Sequence, residues 1–304
     1  MGENADVKRI DGSSVTVRLD RVTVTGEMTV DQELAKRIIG QGFRPFLVDG
    51  LEGYKLVRPF GNDSDEFETV AVFLPNQYRP KNWRLDTSNH LTADEVAIIS
   101  DLLKPMVNRH LTRVDVAFDF KNGPVEPMRH RIFRPRATQA ELGVYRDGTF
   151  RIDTVYSGKR SSDRMIRMYN KRVERIKHQS GLKRRGIEVE QTLPDRWERW
   201  EVQLRGKKSS EWLEQAREML SYIKLPVVGS ASELSPTTKA MLHALSDGTL
   251  AFGDIGQRAR AKYRKLIKEN VGFDTSYAQA ALAVLERDMD KIERELSVFL
   301  GEVG

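Results

Sequence analysis

Apolar and polar residues alternate most clearly in three stretches of the chain. Over Leu111–Phe120, LTRVDVAFDF, the residues Val114, Val116, Phe118 and Phe120 fall on one side and Arg113, Asp115, Ala117 and Asp119 on the other, which is the period of a strand. Met165–Lys171 sets Arg167, Tyr169 and Lys171 on one side. Trp197–Arg205, WERWEVQLR, sends Trp200, Val202 and Leu204 inward and Arg199, Glu201, Gln203 and Arg205 outward. Weaker patterns predict strands over 15–25, 70–74, 83–85 and 149–157, with an exposed acidic tip, GNDSDEFE, before the second of these.

Helices follow from caps and three-four spacing. Thr29-Val30-Asp31-Gln32 reads as a capping box opening a short helix to about Gly40. Thr92-Ala93-Asp94-Glu95 is a second, opening a helix whose apolar face is Val96, Ile99, Leu102, Leu103 and Met106, stopped by Pro105. Further helices are predicted from Arg172, over 210–224, from Ser235 with Pro236 at its first position, and over 254–270. LPVVGSASELSP, between the second and third of these, reads as a linker. In the last helix Leu282, Leu285, Met289, Ile292, Leu296 and Phe299 make a heptad seam, suited to packing on the parent domain or to a dimer contact. The strand–helix–strand order of 15–40 echoes that of 81–120, both with Arg-Leu-Asp, a hint of internal duplication.

The pattern as a whole predicts an α+β fold: antiparallel sheet with helices packed on one face, plus a helical C-terminal region. A division follows into residues 1–110, an N-terminal α+β half; 111–228, a second half with the clearest strands; and 229–304, the helical C-terminal region. Strands that carry arginine and carboxylate on one face are too charged there for a core. Aligned, they predict a polar floor, or else an ordinary sheet with one solvated face.

Composition narrows the chemistry. With 39% hydrophobic and 31% charged residues over 304 positions, the chain reads as soluble. It has no membrane-length apolar run and no secretory signal, so a bacterial cytoplasmic location is the default. The absence of cysteine excludes disulfides, thiolate catalysis and sulfur-ligated zinc. There is no ATP phosphate loop, since GKKS at Gly206–Ser209 lacks the upstream glycine. The histidines at 90, 110, 130, 178 and 243 stand singly, so any metal rests on carboxylates.

Charge then picks out one segment. Residues 159–185 hold eleven Lys/Arg against two acids, a local +9 where the whole chain carries +6. Such localisation points to an anionic partner at one place, although a solvated basic hairpin around a half-buried tyrosine has the same pattern. Tyr169 lies between Arg167 and Lys171, and nearby cations favour a phenolate able to attack a phosphodiester. Lys159, Arg160 and Arg164 are candidates to hold the DNA, with Arg160, Arg164 and Arg167 gripping phosphate oxygens. Asp115, Asp119 and Glu201, each on a charged strand face, are candidate ligands for Mg²⁺ or Mn²⁺. Arg258, Arg260, Lys262, Arg264 and Lys265 make the 254–270 helix a second DNA candidate, in a helix-turn-helix-like setting.

TRVDVAFDF at Thr112–Phe120, YSGKRSSDRMIRMYNK at Tyr156–Lys171 and RWEVQLRG at Arg199–Gly206 together resemble the replication initiation factor (Rep_trans) family of Gram-positive rolling-circle plasmids. RLDTSNHLTADE at Arg84–Glu95 and RARAKYRKLIKE at Arg258–Glu269 fit it as well. The resemblance implies sequence-specific nicking of one strand at a double-strand origin, a 5′-phosphotyrosine link, a free 3′-OH and later closure of the displaced single strand. It places the tyrosine at Tyr169 and the carboxylates at Asp115, Glu201 and Asp119. It also implies a homodimer, a host helicase and a host polymerase as partners, and a C-terminal part that reads the origin. Two other readings stay open: a conjugative relaxase with the same chemistry, and a DNA-binding regulator with none.

Overall fold

The computed structural model describes residues 15–59, 67–88, 91–122, 131–132, 140–146, 150–159, 161–184, 192–228, 234–246 and 250–301. The expected acidic tip lies almost wholly outside these, as do Arg160 and the middle of the expected linker, 229–233.

In chain order the elements are β1 (Val15–Glu27), α1 (Gln32–Gly40), β2 (Phe43–Val48), β3 (Leu51–Pro59), β4 (Phe67–Pro75), β5 (Asn82–Thr87), α2 (Ala93–Leu103) and β6 (Val107–Lys121). Then follow β7 (Arg131–Ile132), β8 (Ala140–Arg146), β9 (Phe150–Ser157), β10 (Arg164–Asn170), α3 (Lys171–Arg184) and β11 (Trp197–Arg205). The rest is α4 (Lys207–Ser210), α5 (Trp212–Ser221), β12 (Ile223–Val228), α6 (Pro236–Ser246), α7 (Gln257–Asn270), β13 (Val271–Asp274) and α8 (Ser276–Leu300). This is the α+β class that the alternation predicts.

Ten strands form one antiparallel sheet in the order β2-β3-β4-β5-β1-β6-β11-β10-β9-β8. Read outward from the centre, each half has its first strand innermost, its last strand next, and the others in descending order. The two halves therefore repeat one topology about the β1–β6 seam. At that seam Val22 faces Val114, with Arg21 opposite Asp115 and Thr23 opposite Arg113 on either side. The hint of duplication is thus right in kind and misplaced in extent. The repeated units run from β1 to α2 and from β6 to α5, and the two Arg-Leu-Asp triplets lie on β1 and β5, strands of the same half.

One face of the sheet is the core. Val22, Val24, Val114, Val116, Phe118, Phe120, Trp200, Val202 and Leu204 are buried there. The Phe120 ring packs tilted against Trp200, with centroids 4.5 Å apart, and against Tyr277 of α8 at 5.5 Å. α8 lies against β1 and β6 and buries Ala281, Leu285, Ile292, Leu296 and Phe299. At about 1.5–3 kcal/mol for each large side chain, that stripe is a principal part of the core. The seam expected in this helix thus packs on its own sheet, with Leu282 and Met289 at its margin.

Local signals fared well, with two corrections. α2 has the predicted capping box, Thr92 with Glu95. α1 instead begins two residues late, because Asp31 and not Thr29 accepts from the backbone, at Leu34 N. Ile223–Val228, expected as helix end and linker, is the central strand of a three-stranded sheet, β13-β12-β7.

Candidate active site

The opposite face carries the polar side chains, and the structure corrects how they are held. The sequence pattern turned Arg199 and Glu201 outward as too charged to bury, yet Arg199 is 0% exposed and Glu201 7%. Burial is tolerated because charge is matched inside the layer. Arg199 forms a bidentate pair with Asp119 at 2.8 Å on both arms, and its third nitrogen reaches Asp20 at 2.8 Å. Asp119 also accepts from the Trp197 indole at 2.7 Å. Asp20 escaped the sequence reading because it sits at a register shift of β1, between Leu19 and Arg21, which no alternation marks.

Tyr169 is the penultimate residue of β10, directly across from Arg199 of β11. The chain turns at once into α3, where the Asn170 side chain accepts from Val173 N at 3.0 Å. The Tyr169 hydroxyl donates to Glu201 at 2.6 Å, and the other Glu201 oxygen pairs with Arg167 at 2.7 Å. The Arg167 guanidinium lies 4.3 Å from the centre of the Tyr169 ring and the Lys171 ammonium 5.6 Å. Lys171 is buried and paired with Glu174 at 2.7 Å. Tyr169, Arg167, Lys171 and Glu201 therefore come together.

The electrostatics correct one expectation. Cations beside Tyr169 were expected to favour the phenolate. Instead its pKa is raised far above the ordinary tyrosine value, by burial first and the Glu201 carboxylate second, with Arg167 opposing. In the free protein Tyr169 is a neutral phenol held by a carboxylate. Burial, the largest influence on Arg167, lowers its pKa, but Glu201 and the neighbouring tyrosines together raise it to a net value above the ordinary one, so it stays charged.

The remaining candidates separate. Asp115 is locked by Arg113 through two bonds of 2.8 and 2.5 Å, and Asp119 by Arg199. Among the described residues no three carboxylates or histidines gather as a cation site. Asp115, Asp119 and Glu201 as they stand do not fit a divalent ion, because guanidinium groups and the phenol occupy their oxygens. Arg164 points away from Arg167, to the helix-covered face, where it pairs with Glu218 at 2.7 Å and Gln215 at 3.0 Å. Alternation along β10 demands this, so Arg164 does not join a phosphate grip at Tyr169. Lys159 is exposed beside Gly158.

α7 is far more open. No residue of it is buried, and Arg258, Lys262, Arg264 and Lys265 are exposed. Arg260 is turned back to accept a structural role, donating to the carbonyls of Ile255 and Gly253 at 2.8 and 2.9 Å.

The antiparallel sheet thus has one helix-covered face and, on the other, a tyrosine hydrogen-bonded within a buried layer of matched charge. Residues 109–225, which contain that tyrosine and the strands from β6 to β11, match the Replication initiation factor family, Rep_trans. This match falls on the segment that holds the three strand motifs and agrees with the family they resemble. Two proteins of Staphylococcus aureus, each described as a replication initiation protein, are 26% and 25% identical to this chain over 214 residues. The alignments cover 69% of this chain and 63% and 62% of those proteins, so it spans under two thirds of their length. A rolling circle replication initiator protein from Geobacillus stearothermophilus aligns in structure over 72% of this chain and 89% of its own, at 17% identity and a TM-score of 0.44.

Proposed function

We propose that this chain initiates rolling-circle replication by nicking one DNA strand with Tyr169 and later resealing it. The observation that carries the reading is the Tyr169–Glu201–Arg167 cluster, which lies inside the segment that matches the family. The Tyr169 oxygen forms a bond to phosphorus as the bond from phosphorus to the 3′-oxygen breaks. Glu201, already at hydrogen-bond distance, takes the phenol proton, and the leaving oxygen takes one from solvent to become a 3′-OH. Arg167 has a buried Nε without an acceptor and is the guanidinium placed to meet a phosphate oxygen. Closure is the reverse, with a 3′-OH attacking the phosphotyrosine.

The proposal assigns α7 and the rest of 229–304 to double-strand contact, and 111–228 to the chemistry, with a homodimer, a host helicase and a host polymerase as partners. A divalent ion enters this reading only where Arg113 or Arg167 first gives up its carboxylate, and the steps above do not depend on one.

The test incubates the protein with single-stranded oligonucleotides from its own origin, with Mg²⁺, Mn²⁺ or a chelator, and looks for an adduct that survives denaturation. Wild type is expected to form one and Tyr169→Phe none, while both bind the DNA. Absence of any adduct from wild type sinks the nicking reading and favours a non-catalytic regulator. An adduct from Tyr169→Phe moves the nucleophile elsewhere, with Tyr156 of the neighbouring strand the next candidate. A conjugative relaxase would give the same adduct and is separated by whether the substrate is a replication or a transfer origin.

A further inference from the structure

A cavity of about 500 Å³ opens on the polar face where the two halves of the sheet meet. Its lining includes Arg21, Arg113, Gln203 and Arg205, with Met165 and Val72 as apolar wall. The guanidinium groups are crowded by the sheet itself. Arg113 and Arg205 face each other directly across β6 and β11, and Arg21 faces Asp115, two residues along from Arg113. Like charges directly opposite weaken a strand pair unless something negative lies between them.

The acids present do not satisfy this cluster. Asp115 and the Gln203 carbonyl are both taken by Arg113. Asp86 is shared among Thr23, Arg84 and, at 3.4 Å, Arg21. The Arg205 side chain makes no hydrogen bond or ion pair with any described residue, and burial followed by the Arg113 charge lowers its pKa. Nε of Arg21, Nε of Arg205 and Nε2 of Gln203 are all buried without an acceptor, and Gln203 is only 4% exposed. A buried donor left without an acceptor forfeits its hydration and gains no bond in return. Four carboxylates balance the four arginines that line the cavity, so it is the three buried donors left without an acceptor there that have the chemistry of a site for an oxyanion.

We propose that this cavity holds a phosphodiester group of the bound single strand, a second phosphate beside the one at Tyr169. Arg205 lies four residues from Glu201 along β11, roughly 13 Å at strand rise, too far for the same phosphate to serve both. Arg205 and Gln203 are binding residues in this assignment, and Arg21, from the half without the tyrosine, makes the strand path cross the seam. The inference rests on the strand-nicking reading for the identity of its ligand.

Titrating a labelled single-stranded oligonucleotide across a salt series counts the phosphates neutralised. Arg205→Ala is expected to weaken binding about tenfold and to flatten the slope of log K against log salt by about 0.7, the value for one single-strand phosphate. Arg205→Gln should do the same while keeping the methylenes and a polar end without the charge, and Lys36→Ala on α1 should change neither quantity. Replacing phosphates singly by methylphosphonates should reveal one position that matters to wild type and not to Arg205→Ala. An unchanged slope in folded Arg205→Ala and Arg205→Gln overturns the proposal, as do methylphosphonate penalties that match wild type at every position. Competition by inorganic phosphate in wild type, with no change of slope in the variants, assigns the cavity to a free anion and also overturns it. An Arg205-dependent slope without an adduct sinks the nicking reading alone, whereas an adduct with an Arg205-independent slope sinks the pocket alone.

Discussion

Glu201 accepts from Tyr169 on one oxygen and from Arg167 on the other, so a single side chain holds both the proton and the cation that the proposed reaction must move. Glu201→Gln keeps the shape and loses the base. Its single-turnover rate of adduct formation is expected to fall by about 10²–10⁴, the usual contribution of a positioned base, with DNA affinity little changed. Asp115 gives a second expectation, for stability. Burial raises its pKa against the pull of Arg113. The native state therefore keeps this proton at pH values where the unfolded chain, with an aspartate pKa near ~3.9, has released it. Its contribution is full below about 4 and is lost as pH rises through the native value, so Asp115→Asn should flatten the urea midpoint against pH from about 4 upward. The strand face that Tyr169, Arg167, Glu201 and Asp115 occupy was legible in alternation alone. Their burial was not, because the charges that offset Arg199 come from strands some eighty and one hundred eighty positions away.

At the scale of elements, the β9–β10 hairpin sets Tyr169 through its turn. Gly158 has φ of +94°, and a Cβ there would sit 2.6 Å from the Arg164 carbonyl oxygen. Gly158→Ala combines an unfavourable backbone with a backbone clash and should cost about 1–3 kcal/mol in a denaturant titration, and adduct yield with it. The sequence marked β6, β10 and β11 clearly because each has one apolar face against helices. It hid β12, whose Pro226 and following Gly-Ser run read as chain punctuation although Pro226 lies in register opposite Phe273. α7 shows the opposite limit: its helix was legible from composition and its openness was not, since a basic face has the same pattern whether solvent or DNA covers it.

For the molecule as a whole, the three-part division of the sequence meets one continuous sheet, with β1 and β6 paired across residue 110. Residues 229–304 are also tied to the rest, because α8 covers the core face of β1 and β6. A chain ended at residue 228 is therefore expected to lose fixed packing, seen as loss of near-ultraviolet dichroism with helical signal retained and dye-binding surface exposed. Long-range order of this kind is what alternation cannot supply, since a period gives each strand a face and no neighbour.

The repeat about the β1–β6 seam has one more consequence. In the N-terminal half the position matching Tyr169 is Asn76, just past β4, opposite Asn82 as Tyr169 is opposite Arg199. One half thus retains the scaffold without the reactive group. The halves share a single line of strand pairing and are joined covalently only by the short turn at 104–106. Cut in that turn, residues 1–104 and 105–304 each keep the strands and helices of their own half, and the second fragment brings the helix that lies over both. Made as separate polypeptides, they form a split protein whose reassembly along one seam returns Asp20 of the first to Arg199 of the second, while Tyr169 and Glu201 already lie together in the second.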